Sequence, residues 1–293
     1  MDIDFVYTYV NNLDEVWQNK YKKHSYCQTN QKRFDFQGEI FFSLRTAEKY
    51  ANFARNIFIV SDNQPFDLSF LSEDFRKKII FVDHKEIIPS EFLPTFNSCA
   101  IEIFLWKIPG LSSSFVYLND DVFFGNYVTK DFFFDDGLII FGERYEHDPF
   151  FEKDHEIMYR KTHHLFQSRF NTDYWLTNSH TCFQMNTETC MAVFEEFNEH
   201  LMRTAAIKER KYDAHNTNFE NCQSFSFLTL NNLMLYKNGL GKPNKRGAFI
   251  KELDKESLSY LFRVRPRTFC VNSLNIEEWN KLRRGYLNEV LYL

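Results

Sequence analysis

The sequence predicts an α/β protein built on a mostly parallel sheet, and two patterns carry that prediction. Short apolar runs recur along the first half of the 293-residue chain, and helical patterns lie between them. Continuous apolar runs are typical of strands buried on both faces, and intervening helices favour parallel pairing with right-handed crossovers. The runs are Phe5–Val10, Ile57–Val60, Ile79–Val82, Phe115–Leu118 and Leu138–Phe141.

Two helices are predicted between these strands. Ile40, Leu44, Ala47 and Ala51 fall on one helical face. Asn97-Ser98 is a typical N-cap, and it predicts a second helix that ends before Pro109-Gly110.

The second half of the chain is more helical and more polar. Thr187–Met202 has helical spacing, and the glycine-rich stretch Gly239–Gly247 predicts a loop. Glu152–Gln167 carries three histidines in a charged setting without an HExxH pattern, which favours a solvated helix or a flexible insertion. We therefore expect an α/β half over residues 1–145 and a more helical half over 146–293 that completes one catalytic unit.

Composition limits the class of partner. The chain is 44% hydrophobic with a net charge of −5, which argues against a nucleic-acid binder driven by bulk attraction to phosphate. The acidic start Met1–Asp4 lacks a signal-peptide pattern, no apolar run is long enough to span a bilayer, and the six cysteines form no CxxC pair. These features predict a cytoplasmic protein. Any association with the membrane is expected to be peripheral and at its inner face.

Polar side chains follow the predicted strands at the point where each strand ends. In parallel sheets the carboxyl ends of the strands form the ligand site. Thr8, Asn11, Asp62 and Asn119 stand at or just after such ends, and we expect them to bind substrate. The alternative is that polar residues simply terminate strands.

The chain has nine glycines and neither a GxGxxG nor a GxxxxGK[ST] motif, so the usual backbone cradles for phosphate are missing. A nucleotide diphosphate would therefore need a metal and basic side chains. Asp120 and Asp121 offer the oxygen ligands that Mg²⁺ or Mn²⁺ prefers, although an Asp-Asp pair also suits a turn.

The basic candidates are Arg33, Arg45, Lys107 and Arg210. Arginine is suited to bidentate phosphate contact, whereas a surface ion pair or a helix cap is the structural alternative. His180 becomes a candidate general base only where it converges with the acidic pair.

Four blocks resemble one known family. Ile3–Asn11 reads IDFVYTYVN, and Arg33–Gly125 includes PTFNS and NDD in the same order and spacing as that family. A diverged block runs from His180 through Arg210 to about Asn232, and Arg267–Asn272 is short. Together these blocks resemble the Stealth family of hexose-1-phosphate transferases, which includes bacterial capsule polymerases.

The resemblance implies a nucleotide-sugar-transferase (GT-A-like) fold whose helical C-terminal half packs over the active site. It implies that a carbohydrate hydroxyl attacks the β-phosphorus of a UDP-sugar, so that UMP leaves and a phosphodiester forms. The expected donor is a UDP-N-acetylhexosamine, the acceptor an oligo- or polysaccharide, and the setting the synthesis of capsule or another surface polysaccharide. A conventional metal-dependent glycosyltransferase releasing UDP and an inactive glycan-binding module are the alternatives.

The resemblance also implies roles for single residues. Asp120 and Asp121 would hold the metal or activate the nucleophile, while His180 and Arg210 match the family's catalytic His and Arg. Residues expected to line the donor site are Arg45, Asn97, Glu102 and Lys107.

The chain departs from the family pattern at two positions. Cys182 replaces a common Pro. Ser273 replaces the Asp of a terminal Asn-Asp, so Asn272 or a water would substitute as metal ligand.

Overall fold

The computed structural model describes residues 1–24, 34–150, 154–178, 180–209, 224–244, 247–250, 253–271 and 274–291. The strands are β1 (Ile3–Thr8), β2 (Ile57–Ser61), β3 (Ile79–Asp83), β4 (Ser114–Asn119), β5 (Val122–Phe123), β6 (Phe134–Asp135), β7 (Leu138–Phe141), β8 (Glu143–Tyr145), β9 (Trp175–Thr177), β10 (Phe183–Asn186), β11 (Gly241–Pro243), β12 (Ala248–Ile250) and β13 (Phe269–Val271). The helices are α1 (Glu15–His24), α2 (Glu39–Tyr50), α3 (Glu73–Arg76), α4 (His84–Ile87), α5 (Ser98–Glu102), α6 (Asp154–Phe170), α7 (Thr187–Glu196), α8 (Asn198–Ala206), α9 (Phe227–Lys237), α10 (Lys255–Val264), α11 (Ile276–Lys281) and α12 (Asn288–Leu291). Short 3₁₀ segments lie at Ser90–Phe92, Leu105–Lys107 and Lys130–Phe132, and a π-helical segment lies at Leu282–Leu287.

The main sheet has five strands in the order β10-β4-β1-β2-β3. Strands β3, β2, β1 and β4 run parallel, whereas β10 pairs antiparallel with β4. This confirms the predicted α/β class with a mostly parallel sheet. The first five residues of β1 are buried, as expected for a central strand covered on both faces.

Both predicted helices of the first half are present. α2 buries Ile40, Leu44 and Ala47 in the same core as β1 and β2. Asn97 caps α5 as predicted, because its side chain accepts a hydrogen bond from the backbone N–H of Cys99 at 3.1 Å. The second helix is shorter than predicted. Beyond Glu102 the backbone hydrogen bonds span three residues rather than four, which tightens the chain into 3₁₀ turns.

Leu138–Phe141 forms a strand, but the strand lies outside the main sheet. β7 pairs with β6 through the two-residue loop Asp136-Gly137, and both loop residues have positive φ, at 52° and 77°. Asp-Gly is a typical sequence for such a hairpin turn, and local pairing therefore diverts this strand. The fifth place in the main sheet goes to β10 from the second half of the chain.

Three expectations for the second half are corrected. Thr187–Met202 is two helices, because the backbone at Phe197 leaves helical geometry between α7 and α8. The stretch predicted as a solvated helix or a flexible insertion is a helix, α6, but the helix is packed rather than solvated, because it buries Ile157, Met158 and Phe166. Within the predicted loop Gly239–Gly247, β11 pairs with β7.

The helices and the cysteines can be compared with the predictions on membrane spans and on cysteine pairing. None of the helices in the described ranges is long and apolar enough to cross a bilayer. Cys99, Cys182, Cys190 and Cys270 are buried cysteines outside any disulfide.

His163 on α6 is held as a neutral imidazole. The backbone N–H of Leu176 donates to its Nε2 at 3.1 Å, so Nδ1 carries the proton and donates to the Tyr159 carbonyl at 2.7 Å. Burial lowers the pKa of His163 to about 4. Protonation of Nε2 would point its new N–H at the Leu176 N–H, so that two donors face each other and the hydrogen bond is lost.

The contribution of His163 to the stability of the fold is therefore expected to fall in mild acid. The unfolded chain takes up the His163 proton near pH 6.5 and the folded chain only near 4, so this stability is present above 6.5 and lost as pH falls through that window. At pH 5 the loss from His163 is about 2 kcal/mol. Urea unfolding at pH 7 and pH 5 measures it. His163→Gln should lose the His163 part of the stability difference between pH 7 and pH 5, whereas His147→Gln, at an exposed position, should keep the wild-type difference. An unchanged pH slope in His163→Gln would contradict the assignment.

Candidate active site

The carboxyl ends of the parallel strands meet at one edge of the main sheet. Thr8 at the end of β1 is in register with Asn119 at the end of β4, and Ser61 of β2 is in register with Asp83 of β3. The chain moves outward from β1 to β2 and β3, and then returns to the other side of β1 as β4. The crevice between β1 and β4 is therefore the topological switch point, where α/β proteins bind ligands.

A cavity of about 610 Å³ opens at this edge and is lined by both halves of the chain. The predicted site residues on its wall are Thr8, Asp62, Glu102, Asn119, Asp120, Asp121 and His180. The second half contributes to the same wall with Met158, Tyr159, Phe183, Ser226, Leu228, Phe249 and Cys270.

Asp120 and Asp121 form the turn between β4 and β5 and face into the cavity. The backbone just beyond them is tied to α2, because the Ser43 hydroxyl donates to the Val122 carbonyl and the Phe124 N–H donates to Thr46 Oγ1 at 3.1 Å. The two carboxylates are thus presented by rigid strand and helix backbone.

The geometry after β5 requires a glycine. A Cβ on Gly125 would lie 2.5 Å from the Pro266 carbonyl oxygen, so no other residue fits without a backbone shift. Gly125 also donates its N–H to the Arg267 carbonyl at 3.2 Å. This hydrogen bond ties the chain just after β5 to the segment that leads into β13.

The surroundings of the two carboxyl groups disfavour their charged forms. Burial, followed by the charges of Asp121 and Glu39, raises the pKa of Asp120 well above its usual range. Burial also raises the pKa of Asp121 to about 6, with Glu39 adding to the shift and a hydrogen bond from Cys270 opposing it. Since burial raises the pKa of the Cys270 thiol as well, the thiol keeps its proton and is the donor in that bond.

The carboxylates fit a divalent metal ion. In the part of the chain described here, Oδ1 of Asp121 is a buried oxygen without a hydrogen-bond partner. The same part holds no group of three or more His, Cys, Asp or Glu side chains placed to share a metal. Two carboxylates suit Mg²⁺, which is commonly held by one or two carboxylates together with substrate phosphates. Asn272, the third predicted ligand, lies outside the described residues.

Among the Asp, Glu, Lys and Arg side chains of the described cavity wall, all are acidic. Its acidic members are Asp62, Glu102, Asp120 and Asp121, and none of the described lining residues is a lysine or arginine. Asp62 is neutralised by Lys20, whose Nζ lies 2.8 and 2.7 Å from the two carboxylate oxygens. A phosphate group entering this cavity would therefore need a metal ion or cations from elsewhere in the chain.

A hydrogen-bonded chain crosses the switch point. The Tyr117 hydroxyl donates to Asn119 Oδ1 at 2.8 Å, and it accepts from Thr8 Oγ1 at 3.0 Å because a phenol carries one proton. Tyr117 is fully buried, and its hydroxyl links the cavity residues Thr8 and Asn119.

His180 lines the same cavity as the acidic turn. Its imidazole is exposed and stacks on the Phe249 ring, with centroids 4.7 Å apart and planes 25° apart. The stacking holds the imidazole at the cavity surface. The structure thus brings His180 and the Asp120-Asp121 turn to a common cavity.

Other predicted residues lie outside the cavity wall. Asn97 is fully buried, and beside capping α5 it donates to the Ile207 carbonyl at 3.0 Å. The Lys107 ammonium lies 4.3 Å from the centroid of the Phe194 ring in a cation–π contact. Asn11 bonds the neighbouring loop through Gln64 and Leu13, and Arg45 is half-buried on α2. Arg33 and Arg210 lie outside the described residues.

Sequence reasoning missed four residues of this site. Tyr117 had a usable signal, since residues two apart on a strand share a face and Asn119 was already a candidate. Glu39, Phe249 and Cys270 had none, because they reach the site only through pairing and packing distant in sequence.

The comparisons with known proteins concern this same region. The family model "Stealth protein CR2, conserved region 2" matches residues 33–141, which include α2, the main-sheet strands β2, β3 and β4, and the Asp120-Asp121 turn. The chain belongs to the Stealth family. The match covers the segment in which the PTFNS and NDD motifs occur.

Stealth relatives share sequence over part of their length. A capsular polysaccharide phosphotransferase of Actinobacillus suis is 41% identical over 143 residues, covering 45% of this chain and 38% of that protein. Capsular polysaccharide phosphotransferase SacB of Neisseria meningitidis serogroup A is 34% identical over 229 residues, covering 72% of this chain and 40% of that protein. The chain thus spans about two fifths of the length of these relatives.

Two solved glycosyltransferase structures are also similar to this Stealth chain. Mouse xyloside xylosyltransferase 1 aligns with a TM-score of 0.44 and 12% identity, covering 95% of this chain and 99% of that one. Galactosyltransferase LgtC, in complex with donor and acceptor sugar analogues, aligns with a TM-score of 0.45 and 10% identity, covering 99% and 95%.

Proposed function

We propose that this Stealth chain transfers sugar 1-phosphate from a UDP-sugar to a carbohydrate hydroxyl, releasing UMP, in the synthesis of a surface polysaccharide. The observation that carries the proposal is the Asp120-Asp121 turn at the switch point, facing a cavity whose described wall has no lysine or arginine. Such a wall suits a metal-bound diphosphate better than a free anion. The capsular polysaccharide phosphotransferases among the relatives support the same class of reaction.

His180 is the proposed general base. The acceptor oxygen forms a bond to the β-phosphorus, the bond between that phosphorus and the bridging oxygen breaks, and UMP leaves with the bonding electrons. The proton of the acceptor hydroxyl passes to His180, whose imidazole the Phe249 ring holds at the cavity surface. Asn119 and Thr8 position the donor at the switch point, and Arg210 supplies positive charge to the leaving group.

Asp120 and Asp121 would hold Mg²⁺ or Mn²⁺, with Asn272 as the proposed third ligand. When bound, the ion would neutralise charge on the phosphate oxygens and on the departing UMP. Its charge would then oppose the burial and the like-charge repulsion that raise the pKa values of the two carboxyl groups.

The released nucleotide tests the proposal. The purified chain would be incubated with Mg²⁺ or Mn²⁺, a panel of UDP-sugars including UDP-N-acetylhexosamines, and short capsule fragments as acceptors. We expect UMP in step with phosphodiester formation. UDP release without phosphodiester would overturn the proposal in favour of conventional glycosyl transfer, and glycan binding with no released nucleotide would indicate an inactive binding module.

A further inference from the structure

A second, three-stranded sheet contributes Phe249 and Cys270 to the wall of the candidate site. Its order is β12-β13-β5, and Phe249, Cys270 and Val122 face one another across it as one row. Phe249 at one end of the row stacks on His180. Val122 at the other end directly follows Asp121 in the chain. The row therefore spans from the proposed base to the proposed metal ligand.

Cys270 stands in the middle of this row, opposite the residue that follows Asp121. Its side chain is buried, with 2% of its surface exposed, and it lines the same cavity. The thiol shares a hydrogen bond with the Asp121 carboxylate. The next residue, Val271, donates its backbone N–H to the Asp121 carbonyl at 3.3 Å. β13 thus contacts both the backbone and the side chain of Asp121.

The two oxygens of the Asp121 carboxylate are not equivalent. The thiol engages the group, yet Oδ1 is buried without a hydrogen-bond partner in the described part of the chain. An unpaired buried oxygen is costly unless a ligand satisfies it.

We propose that Cys270 is a positioning residue, whose thiol holds the Asp121 carboxylate in the orientation that offers Oδ1 to a divalent cation. The inference rests on the proposed function, because that function places the cation at Asp121. Groups that orient a metal ligand through a hydrogen bond commonly affect metal affinity or activity 10- to 100-fold. A thiol is a weak donor, so we expect an effect near the lower end of that range.

The test uses Mn²⁺ binding to the ligand-free chain, measured by titration calorimetry. Cys270→Ala removes the donor and should weaken Mn²⁺ binding about tenfold. Cys270→Ser restores a donor and should bind within about threefold of wild type. Cys190→Ala is the matched control, since Cys190 is an equally buried free thiol whose Sγ instead lies 3.5 Å from Asn231 Oδ1. It should bind Mn²⁺ like wild type. Where Cys270→Ala does not fold, Cys270→Val, which retains bulk but has no donor, carries the same expectation.

Enzyme kinetics give a second measurement. In Cys270→Ala the Mg²⁺ concentration for half-maximal UMP release should rise about tenfold, with the KM for acceptor unchanged. Mn²⁺ binding within twofold of wild type in Cys270→Ala, or an equal loss in Cys190→Ala, would overturn the positioning role. Failure of the proposed function has a different signature, in which the wild-type chain binds Mn²⁺ but releases no UMP from any UDP-sugar.

Discussion

Asp121→Asn is expected to reduce UMP release about 100-fold or more and to raise the melting temperature of the metal-free protein. The activity falls because an amide is a neutral and poorer ligand for Mg²⁺ than a carboxylate. The melting temperature rises because the folded state disfavours the charged form of Asp121, whose pKa is about 6. The folded carboxyl holds its proton more tightly than the unfolded one, so the penalty appears as pH rises above 3.8 and is complete above about 6.

Differential scanning calorimetry at pH 7.5 with a chelator measures the stability effect, and each kcal/mol gained corresponds to about 2–4 °C. Asp135→Asn is the matched control. Asp135 is paired with Lys242 at 2.8 Å in the sheet around β7, so its loss should neither stabilise the protein nor affect UMP release. An Asp121→Asn variant that works within a few-fold of wild type would refute the assignment of the acidic turn as the metal site.

His180→Ala is expected to lower kcat on the order of 100-fold or more, with little change in the KM for the donor. The imidazole is proposed to take the acceptor proton in the transition state, so its loss affects the chemical step more than donor binding. Steady-state kinetics across pH check the role. The acid limb, where a protonated base is inactive, should disappear in His180→Ala.

His147→Ala is the control for the loss of an imidazole as such, because His147 is exposed and is not among the residues lining the cavity. It should keep both the rate and the pH profile of wild type. Retention of the acid limb in His180→Ala would assign that limb to another group and remove His180 from the proposed mechanism.

The strand-end pattern was a sound guide to the location of the site. Thr8, Asp62 and Asn119 were chosen because they end predicted strands, and all three line the cavity. The reason is geometric, since parallel strands place their carboxyl ends at one edge. Asn11 followed the same pattern but lies beyond the wall, where its backbone and side chain bond the adjoining loop.

The motif residues were less reliable guides to contact. Asn97 and Lys107 belong to a specific segment, yet they serve a helix cap, a tie to Ile207 and a cation–π contact with Phe194. A motif match does not distinguish residues that contact a ligand from residues that shape the backbone around the ligand site.

The sequence alone determined the α/β class, four of the five main-sheet strands and the acidic turn, because those features follow from local periodicity and from where strands end. Tertiary structure alone decided the fifth strand, since the Asp136-Gly137 hairpin removes β7 and leaves the edge to β10. It also brought Phe249 and Cys270 to the wall of the cavity and placed Glu39 where its charge, after burial, raises the pKa values of Asp120 and Asp121. Burial and charge repulsion arise from residues far apart in the chain, and no local pattern encodes them.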